Sequence, residues 1–239
     1  MTRHLGQILS AIALATTVAA AAAECRADAV SDAEVTSRLA RTQASLDDGK
    51  AMANAWWIGW IGIQAGSAAA FGALAIVDRE SPEMPVNAVN AGVSAIGATM
   101  LLVLPLVPAY APYKLRKLPE DTPEARRAKL AAAEDWLRRS AESEELGRGW
   151  LTHFLNFGVA AAAGLLLAFA FEDTDWKDGL YNFGFLFAIG ELQAATQPAQ
   201  AIRDWKAYRR LYEPVPQVED RVEVSAFAAP GAAALAIRF

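Results

Sequence analysis

The sequence predicts an all-α membrane protein with four transmembrane helices as two helical hairpins, extramembrane amphipathic helices and a small C-terminal β-hairpin. The chain of 239 residues is 54% hydrophobic and only 21% charged. Its charges are bunched, and long uncharged stretches separate them over residues 51–77, 84–113 and 149–171. Each stretch exceeds the roughly 18 apolar residues that indicate a helix spanning about 30 Å of hydrocarbon. This pattern excludes intrinsic disorder and a small disulfide-stabilised fold.

The first half of the chain contains one amphipathic helix and two predicted spans. Ser31, with Glu34 three residues later, forms a capping box that starts a helix running to about Asp48. The first span follows over about residues 52–77, and the second covers about residues 86–109. A short acidic turn with two prolines separates the two spans, because proline cannot continue either helix.

The second half shows the same order of elements. Pro123 is tolerated in the first turn of a helix, so it opens a polar helix that Gly147 closes. The third span covers about residues 150–171 and the fourth about residues 180–200. The fourth span is interrupted by a glutamate and continues into a basic helix, which makes it the least apolar of the four.

The last residues of the chain predict a β-hairpin. Residues 222–227 have high β-propensity, Pro230 and Gly231 form a turn, and residues 232–239 return. The terminal Phe239 resembles the end of the closing strand of outer-membrane β-barrels, and that resemblance implies an outer-membrane location. It covers only these last residues, and a frayed tail is the alternative.

The two halves of the chain predict an internal duplication. Five pairs of landmarks lie 94 or 95 residues apart: Trp56 and Trp150, Asp78 and Glu172, Asn87 and Asn182, Tyr113 and Tyr208, Pro119 and Pro214. Two spans in each half return the chain to its starting side, so the copies would be parallel repeats. The predicted segments are a signal peptide at 1–23, a first helical repeat at 24–120, a second helical repeat at 121–214 and a tail at 215–239.

Small residues recur at helical spacing in every predicted span. Burial of apolar area cannot drive helices together inside a bilayer, and close backbone approach replaces it. The alternative is coincidence in an alanine-rich chain. The sequence predicts that six glycines pack the helices: Gly59, Gly62, Gly66, Gly92, Gly158 and Gly184.

The amino terminus predicts export. A basic start precedes an apolar run from Ile8, and small residues up to Ala23 suit a signal peptidase, so cleavage after Ala23 is expected. An uncleaved first span is the alternative. Cys25 is the only cysteine in the sequence, and therefore no disulfide can form within the chain.

The charges give a conflicting prediction of orientation. Of the 22 Lys and Arg, 19 fall on the side that holds the mature amino terminus and two on the other side. The positive-inside rule places those 19 in the cytoplasm, whereas a working export signal places the same side outside. The conflict is removed if the first run does not export, if the helices lie on a surface, or if the chain resides in the outer membrane. The sequence leaves inner and outer membrane open, with the tail favouring the outer one.

Glu191 is the one formal charge well inside a predicted span. An ionised side chain at mid-bilayer costs roughly 2.5–3.5 kcal/mol on insertion scales, so it should be paired, protonated or in contact with water. Alternatively, Glu191 lies just beyond the membrane edge. The intramembrane polar candidates that accompany it are His153, Asn156, Gln64, Asn87 and Asn182, and Gln193 is a further neighbour on its own helix.

Two functional hypotheses remain, and a third is weaker. The first is a non-enzymatic envelope protein with a structural or assembly role, whose partners are the lipid bilayer and either further copies of itself or another envelope protein. The second is a small transporter or channel that uses Glu191 and the amides of the spans. A membrane-embedded enzyme is the third, since no catalytic motif occurs in the sequence. We expect no cofactor, no metal site and, with a pI near 5.2, no nucleic-acid partner.

Overall fold

The computed structural model describes residues 31–212 and the backbone of two strands, 223–229 and 232–238. The helices of the described part are α1 Asp32–Val77, α2 Met84–Val103, α3 Val107–Arg116, α4 Pro123–Arg148, α5 Trp150–Ala170, α6 Trp176–Thr196 and α7 Gln200–Tyr212. α1 packs along α2 and α5 along α6, which gives two hairpins. The beginning of α1 packs with α3, α4 and α7 in a separate helical bundle. The predicted signal peptide and Cys25 lie outside the described residues.

Three segments of the described chain are long and apolar enough to cross a membrane: Asp32–Val77, Met84–Arg116 and Trp150–Ala170. The all-helical, membrane-compatible character of this part is therefore confirmed. Four spans are not confirmed, because α6 does not belong to this set, although α5 and α6 are both 21 residues long. Lys177, Asp178 and Glu191 lower its mean hydropathy.

The surfaces of both hairpins are apolar. Large hydrophobic side chains stay more than half exposed along all four of their helices, including Ile58, Leu102, Phe154, Phe169 and Leu180. Such an extended apolar surface on a monomer marks a membrane or protein contact. Helices of 20 or 21 residues, the lengths of α2, α5 and α6, span about 30 Å, which matches the hydrocarbon core.

α1 runs without a break from the bundle into the first hairpin. Its N-cap is Ser31, whose side chain accepts from the Glu34 amide as the sequence predicts. The predicted boundary near Asp48 is wrong, because Gly49 is the only poor helix former there and one glycine costs about 1 kcal/mol. With 46 residues, α1 is about 69 Å long, more than twice the hydrocarbon thickness.

The second predicted span ends at Val103, earlier than the predicted residue 109, because Pro105 has no N–H to donate to the Leu101 carbonyl. The indole Nε1 of Trp57 donates to that carbonyl instead, at 2.8 Å. The chain then restarts as α3, a separate helix where the prediction had the end of the second span. Trp57 therefore ties α2 to the unbroken α1.

The ends of the other helices follow from local capping. Asp175 accepts from the Lys177 and Asp178 amides, and Asp178 accepts in return from the Asp175 amide. This capping box starts α6 at residue 176, four residues before the predicted start. Thr122 caps α4 through the Ala125 amide at 3.1 Å, and the predicted extent of α4 is confirmed to within one residue.

The bundle has an apolar core in which α1 and α4 run in the same direction. Asp32 and Arg127, near the starts of the two helices, form an exposed ion pair at 2.5 Å. Buried positions on both helices alternate by three and four residues, as in coiled coils. The core contains Val35, Leu39, Leu46, Ala111, Leu115, Leu130, Ala133, Leu137 and Tyr208.

The end of α4 holds the junction between α6 and α7. Arg148 Nη1 donates to the Gln197 carbonyl at 2.6 Å and to the Ala195 carbonyl at 3.2 Å. The Glu144 carboxylate, only 1% exposed, accepts from the Ile202 amide at 3.1 Å. A carboxylate on the N-terminal amides of a helix is stabilising, because the helix dipole is positive there. α4 therefore anchors both sides of this junction.

The tail contains two strands, β1 Glu223–Ala229 and β2 Ala232–Arg238, whose backbones pair antiparallel with Val224 opposite Ile237. The predicted turn at Pro230 and Gly231 and the terminal Phe239 lie outside the described residues. The hairpin as a whole therefore stays a prediction.

The stability of the bundle should depend on Glu144. Burial raises the pKa of this carboxyl above its ordinary 4.5, although the Ile202 and Ala201 amides and Arg203 oppose the shift. Between the unfolded and the folded pKa, the folded state holds a proton that the unfolded state has released. The stabilising contribution of protonated Glu144 to the free energy of unfolding is therefore present below pH 4.5, and it is lost as the pH rises through the pKa of the folded state.

We expect Glu144→Gln to flatten the pH dependence of the free energy of unfolding above pH 4.5, because glutamine does not titrate. The hydrogen bond is kept, since the glutamine side-chain carbonyl can still accept from the Ile202 amide. Urea titrations of the detergent-solubilised chain at several pH values measure this slope. The exposed Glu145→Gln is the matched control and should keep the wild-type slope. An unchanged slope in Glu144→Gln would contradict the assignment.

Candidate functional site

Glu191 lies on the face of α6 that meets α5, five residues before α6 ends at Thr196. That distance is about 7 Å along the helix. Trp150, which opens α5, is 77% exposed near the same level, as expected for an aromatic residue at a membrane interface. Glu191 is therefore about one and a half turns from the bundle end of the second hairpin.

Both carboxylate oxygens of Glu191 have partners from α5. His153 Nδ1 lies 2.7 Å from Oε2, and Asn156 Nδ2 donates to Oε1 at 3.1 Å. An ionised Glu191 requires His153 Nδ1 to be the donor, which leaves Nε2 for another partner. The side chains of His153 and Glu191 remain 47% and 31% exposed. The three residues form a satisfied polar cluster that is open on one side.

A second polar contact joins the two hairpins. Gln64 on α1 donates to the side-chain oxygen of Gln193 on α6 at 3.3 Å. Trp56 and Trp60, also on α1, both donate to the Thr196 hydroxyl at 3.2 Å. Gln193 is two residues after Glu191 on α6, so its contact with Gln64 lies on a different face of that helix from the Glu191 cluster. The structure thus joins Gln64 to Gln193 and not to Glu191.

Two glycines make room for the amide side chains. A Cβ on Gly190 would lie 2.8 Å from Asn156 Cγ, and one on Gly97 would lie 3.0 Å from Gln64 Cδ. Each glycine is on the second helix of its hairpin, and the two are 93 residues apart. Neither glycine was predicted, although their spacing of 93 residues is close to the 94 or 95 residues that separate the other paired landmarks.

The asparagine of the first hairpin that matches Asn182 of the second is Asn90 and not the predicted Asn87. Asn182 is 5% exposed, and its Nδ2 has no hydrogen-bond partner in the described part of the chain. Asn87, its predicted counterpart, is only half-buried. Asn90, one turn later, is 4% exposed and has an unpartnered Oδ1. Asn90 therefore resembles Asn182 in burial and hydrogen bonding, and the two occupy similar places in the hairpins.

The six predicted packing glycines do not pack helices together in the described part of the chain. A Cβ at any of them would meet nothing within 4 Å: Gly59, Gly62, Gly66, Gly92, Gly158 and Gly184. Close approach inside the second hairpin comes instead from Gly164 and Gly179. A Cβ on Gly164 would lie 2.6 Å from the Gly179 carbonyl oxygen. Spacing alone could not distinguish the inner face of a helix from its outer face.

No family model matches the chain, and no curated protein or solved structure is similar to it. Among residues 31–212, no group of three or more His, Cys, Asp and Glu is arranged to hold a metal ion. Within the described residues, the Glu191 cluster is the place where a carboxyl and a histidine meet inside a hairpin.

Gly190 and Gly184 form a matched pair for testing this cluster, since both lie on α6. Gly190→Leu should displace Asn156 from Glu191 and destabilise the hairpin by about 1–3 kcal/mol, as overpacking usually does. Gly184→Leu meets open space and should leave the stability of the solubilised monomer unchanged or slightly higher. Denaturant titrations in detergent compare the two, and equal midpoints would show that Asn156 does not fill this space.

Proposed function

We propose that this protein is a non-enzymatic integral membrane protein of the bacterial cell envelope with a structural or assembly role, and that copies associate in the bilayer. The observation that carries the proposal is that six glycines on the four hairpin helices face open space. Helices in lipid associate where small residues allow close backbone approach. These faces are free for a second copy of the chain.

α1 illustrates the separation of inner and outer faces. Gln64 and Gly72 face α6 and α2 respectively, at contacts within 4 Å. At 100° per residue, Gly59, Gly62 and Gly66 fall on the opposite side of the helix. The helix therefore uses one face inside the chain and presents its GxxxG face outward.

The proposal includes four crossings, with α6 as the fourth. α4 precedes α5, α7 follows α6, and α4 and α7 pack against each other in the bundle. If α5 crosses the membrane, then α6 must cross back for the chain to reach α7. The charged residues near the two ends of α6 can lie close to the headgroups, where their cost is smaller than at mid-bilayer.

We place the protein in the envelope because of the amino-terminal run and leave the outer membrane as the favoured location. The bundle carries most of the 19 basic residues on one side, and this side can be external only where the positive-inside rule does not operate. Separation of inner from outer membranes, with sequencing of the mature amino terminus, tests this location. A full-length chain in the inner membrane would overturn it.

Gly62→Ile should weaken self-association, because it places a branched side chain on the GxxxG face. We expect about a tenfold lower dimer fraction, equivalent to about 1.4 kcal/mol, in cross-linking of native membranes. Ala65→Ile is the matched control: it is an exposed position on α1 beside the glycine face, about 60° from Gly62 and about 100° from Gly66 around the helix. If cross-linking of the wild-type protein yields only monomers and no dimers, the proposal is wrong.

A small transporter or channel is the second candidate function, and the polar cluster favours it. The half-exposed His153–Glu191 pair can exchange a proton, and Gln64 and Gln193 extend the polar surface toward the first hairpin. Glu191→Gln keeps an acceptor for Asn156 but removes the ionisable group. Under this hypothesis, the variant should abolish proton-coupled flux in vesicles, and a flux equal to that of the wild type would exclude it.

A further inference from the structure

The two hairpins are attached to the bundle in different ways. α1 passes from the bundle into the first hairpin as one continuous helix, and Trp57 fastens α2 to it. The second hairpin is connected through two non-helical points. Gly149, between α4 and α5, has φ −82° and ψ 166°, and Gln197, after α6, has φ −60° and ψ 138°. Only the first hairpin is thus rigidly continuous with the bundle.

Both connections of the second hairpin lie at the end of α4. Arg148 immediately precedes Gly149, and its guanidinium holds the carbonyls of Ala195 and Gln197. The Gln197 side chain is 6% exposed and donates to the Ser143 carbonyl at 3.4 Å. The end of α4 thus fixes the positions of Gly149 and Gln197, while both residues stay non-helical. Such a pair of fixed, non-helical residues can act as a hinge for the hairpin between them.

Contacts between the two hairpins are concentrated near this hinge. In the described part of the chain, the hydrogen bonds that join them are Gln64 to Gln193 and Trp56 and Trp60 to Thr196. Packing between α2 and α5 is sparse compared with packing inside each hairpin. Only 6% of the most apolar window of α1 is buried, so the first hairpin is not enclosed by the second.

We infer that the α5–α6 hairpin is a mobile arm that pivots at Gly149 and Gln197, and that Trp56, Trp60 and Gln64 hold it by hydrogen bonds to Thr196 and Gln193. These bonds are called the latch below. The arm moves as one body, because Gly164 against Gly179 and Asn156 with Glu191 lock α5 to α6. Breaking the latch frees the arm, while the first hairpin stays fixed to the bundle.

Two of the three hydrogen bonds of the latch share one acceptor, the Thr196 hydroxyl, so a single substitution there removes both. One hydroxyl, that of Thr196, accepts from both indoles and itself donates to the Leu192 carbonyl at 2.7 Å. Removal of this hydroxyl therefore takes the shared acceptor away from two indole N–H groups at once. The motion goes beyond the proposed function, because it concerns the interior of one chain and does not require self-association.

The test measures distances between spin labels in the full chain, reconstituted in lipid vesicles on a Cys25→Ser background. Labelled cysteines replace Glu80 in the distal turn of the first hairpin, Asp173 in the distal turn of the second, and Glu145 on α4. All three positions are exposed. Because the arm is about 30 Å long, a rotation of about 10° moves its tip by about 5 Å.

The double variant Gln64→Leu with Thr196→Val should release the arm. We expect the 80–173 and 145–173 distance distributions to broaden and their means to move by at least about 5 Å, while the 145–80 distribution stays unchanged. Trp57→Phe is the matched control, since it removes an indole hydrogen bond of the same kind inside the first hairpin. It should leave the 80–173 distribution as in the wild type.

Three results would overturn the inference. The first is an 80–173 distribution that is identical in the wild type and the double variant. The second is a shift of the 145–80 distance together with the others, which would mean that the first hairpin is not fixed to the bundle. The third is an equal shift in Trp57→Phe, which would show that any lost indole bond has the same effect. Self-association is read separately from cross-linking, so its failure cannot be confused with these outcomes.

Discussion

The hydrocarbon core of a bilayer contains no partner for a polar group, and the architecture of this protein depends on that constraint. Most places where a helix is broken or a polar side chain enters a hairpin have a donor or acceptor supplied from a neighbour, and Asn90 and Asn182 are exceptions in the described part of the chain. Trp57 donates to the carbonyl that Pro105 leaves free, and Arg148 donates to the carbonyls at the end of α6. The same requirement explains why Asn156 and His153 surround Glu191. Water can satisfy such groups only in the bundle, where exposed ion pairs are common and contribute little.

Helix positions followed from the sequence wherever the local signal was strong. Ser31 caps α1 as predicted, and Thr122 caps α4 just before the predicted Pro123, because side-chain oxygens satisfy free amides at a helix start. The boundary near Asp48 was wrong, since a change from polar to apolar composition does not break a helix. The division into α2 and α3 was missed because Pro108 and Pro112 lie in a helix despite their missing N–H groups. α3 follows the first hairpin and α7 follows the second, and both pack in the bundle. This order is consistent with the duplication, which stays a prediction.

The candidate site was predicted in composition but not in detail. Glu191 stood out as an ionisable group in an apolar run, and only a few polar residues were available to pair with it, so His153, Asn156 and Gln64 could be proposed as neighbours. The faces of the helices could not be assigned in the same way. Gly97 and Gly190 face inward while Gly62 and Gly158 face outward, and a period of about 3.6 residues is common to both groups. Asn87 was predicted and Asn90 was not, because the two lie within one turn of the same helix and their spacing does not distinguish them. The structure does distinguish them, since Asn90 is buried and Asn87 is half-buried.

The unbroken helix α1 also sets a constraint on how this chain can evolve. Each residue inserted into it between the bundle and the lipid would lengthen the rod by about 1.5 Å and turn everything beyond that residue by about 100°. The indoles of Trp56 and Trp60 would then point away from Thr196 while the bundle stayed where it was. Substitutions at the exposed Ala51, Met52 and Ala55 are therefore tolerable in a way that insertions and deletions are not, whereas the distal turns between the helices of each hairpin can change length more readily. Length variation among descendants of this sequence should collect in those turns.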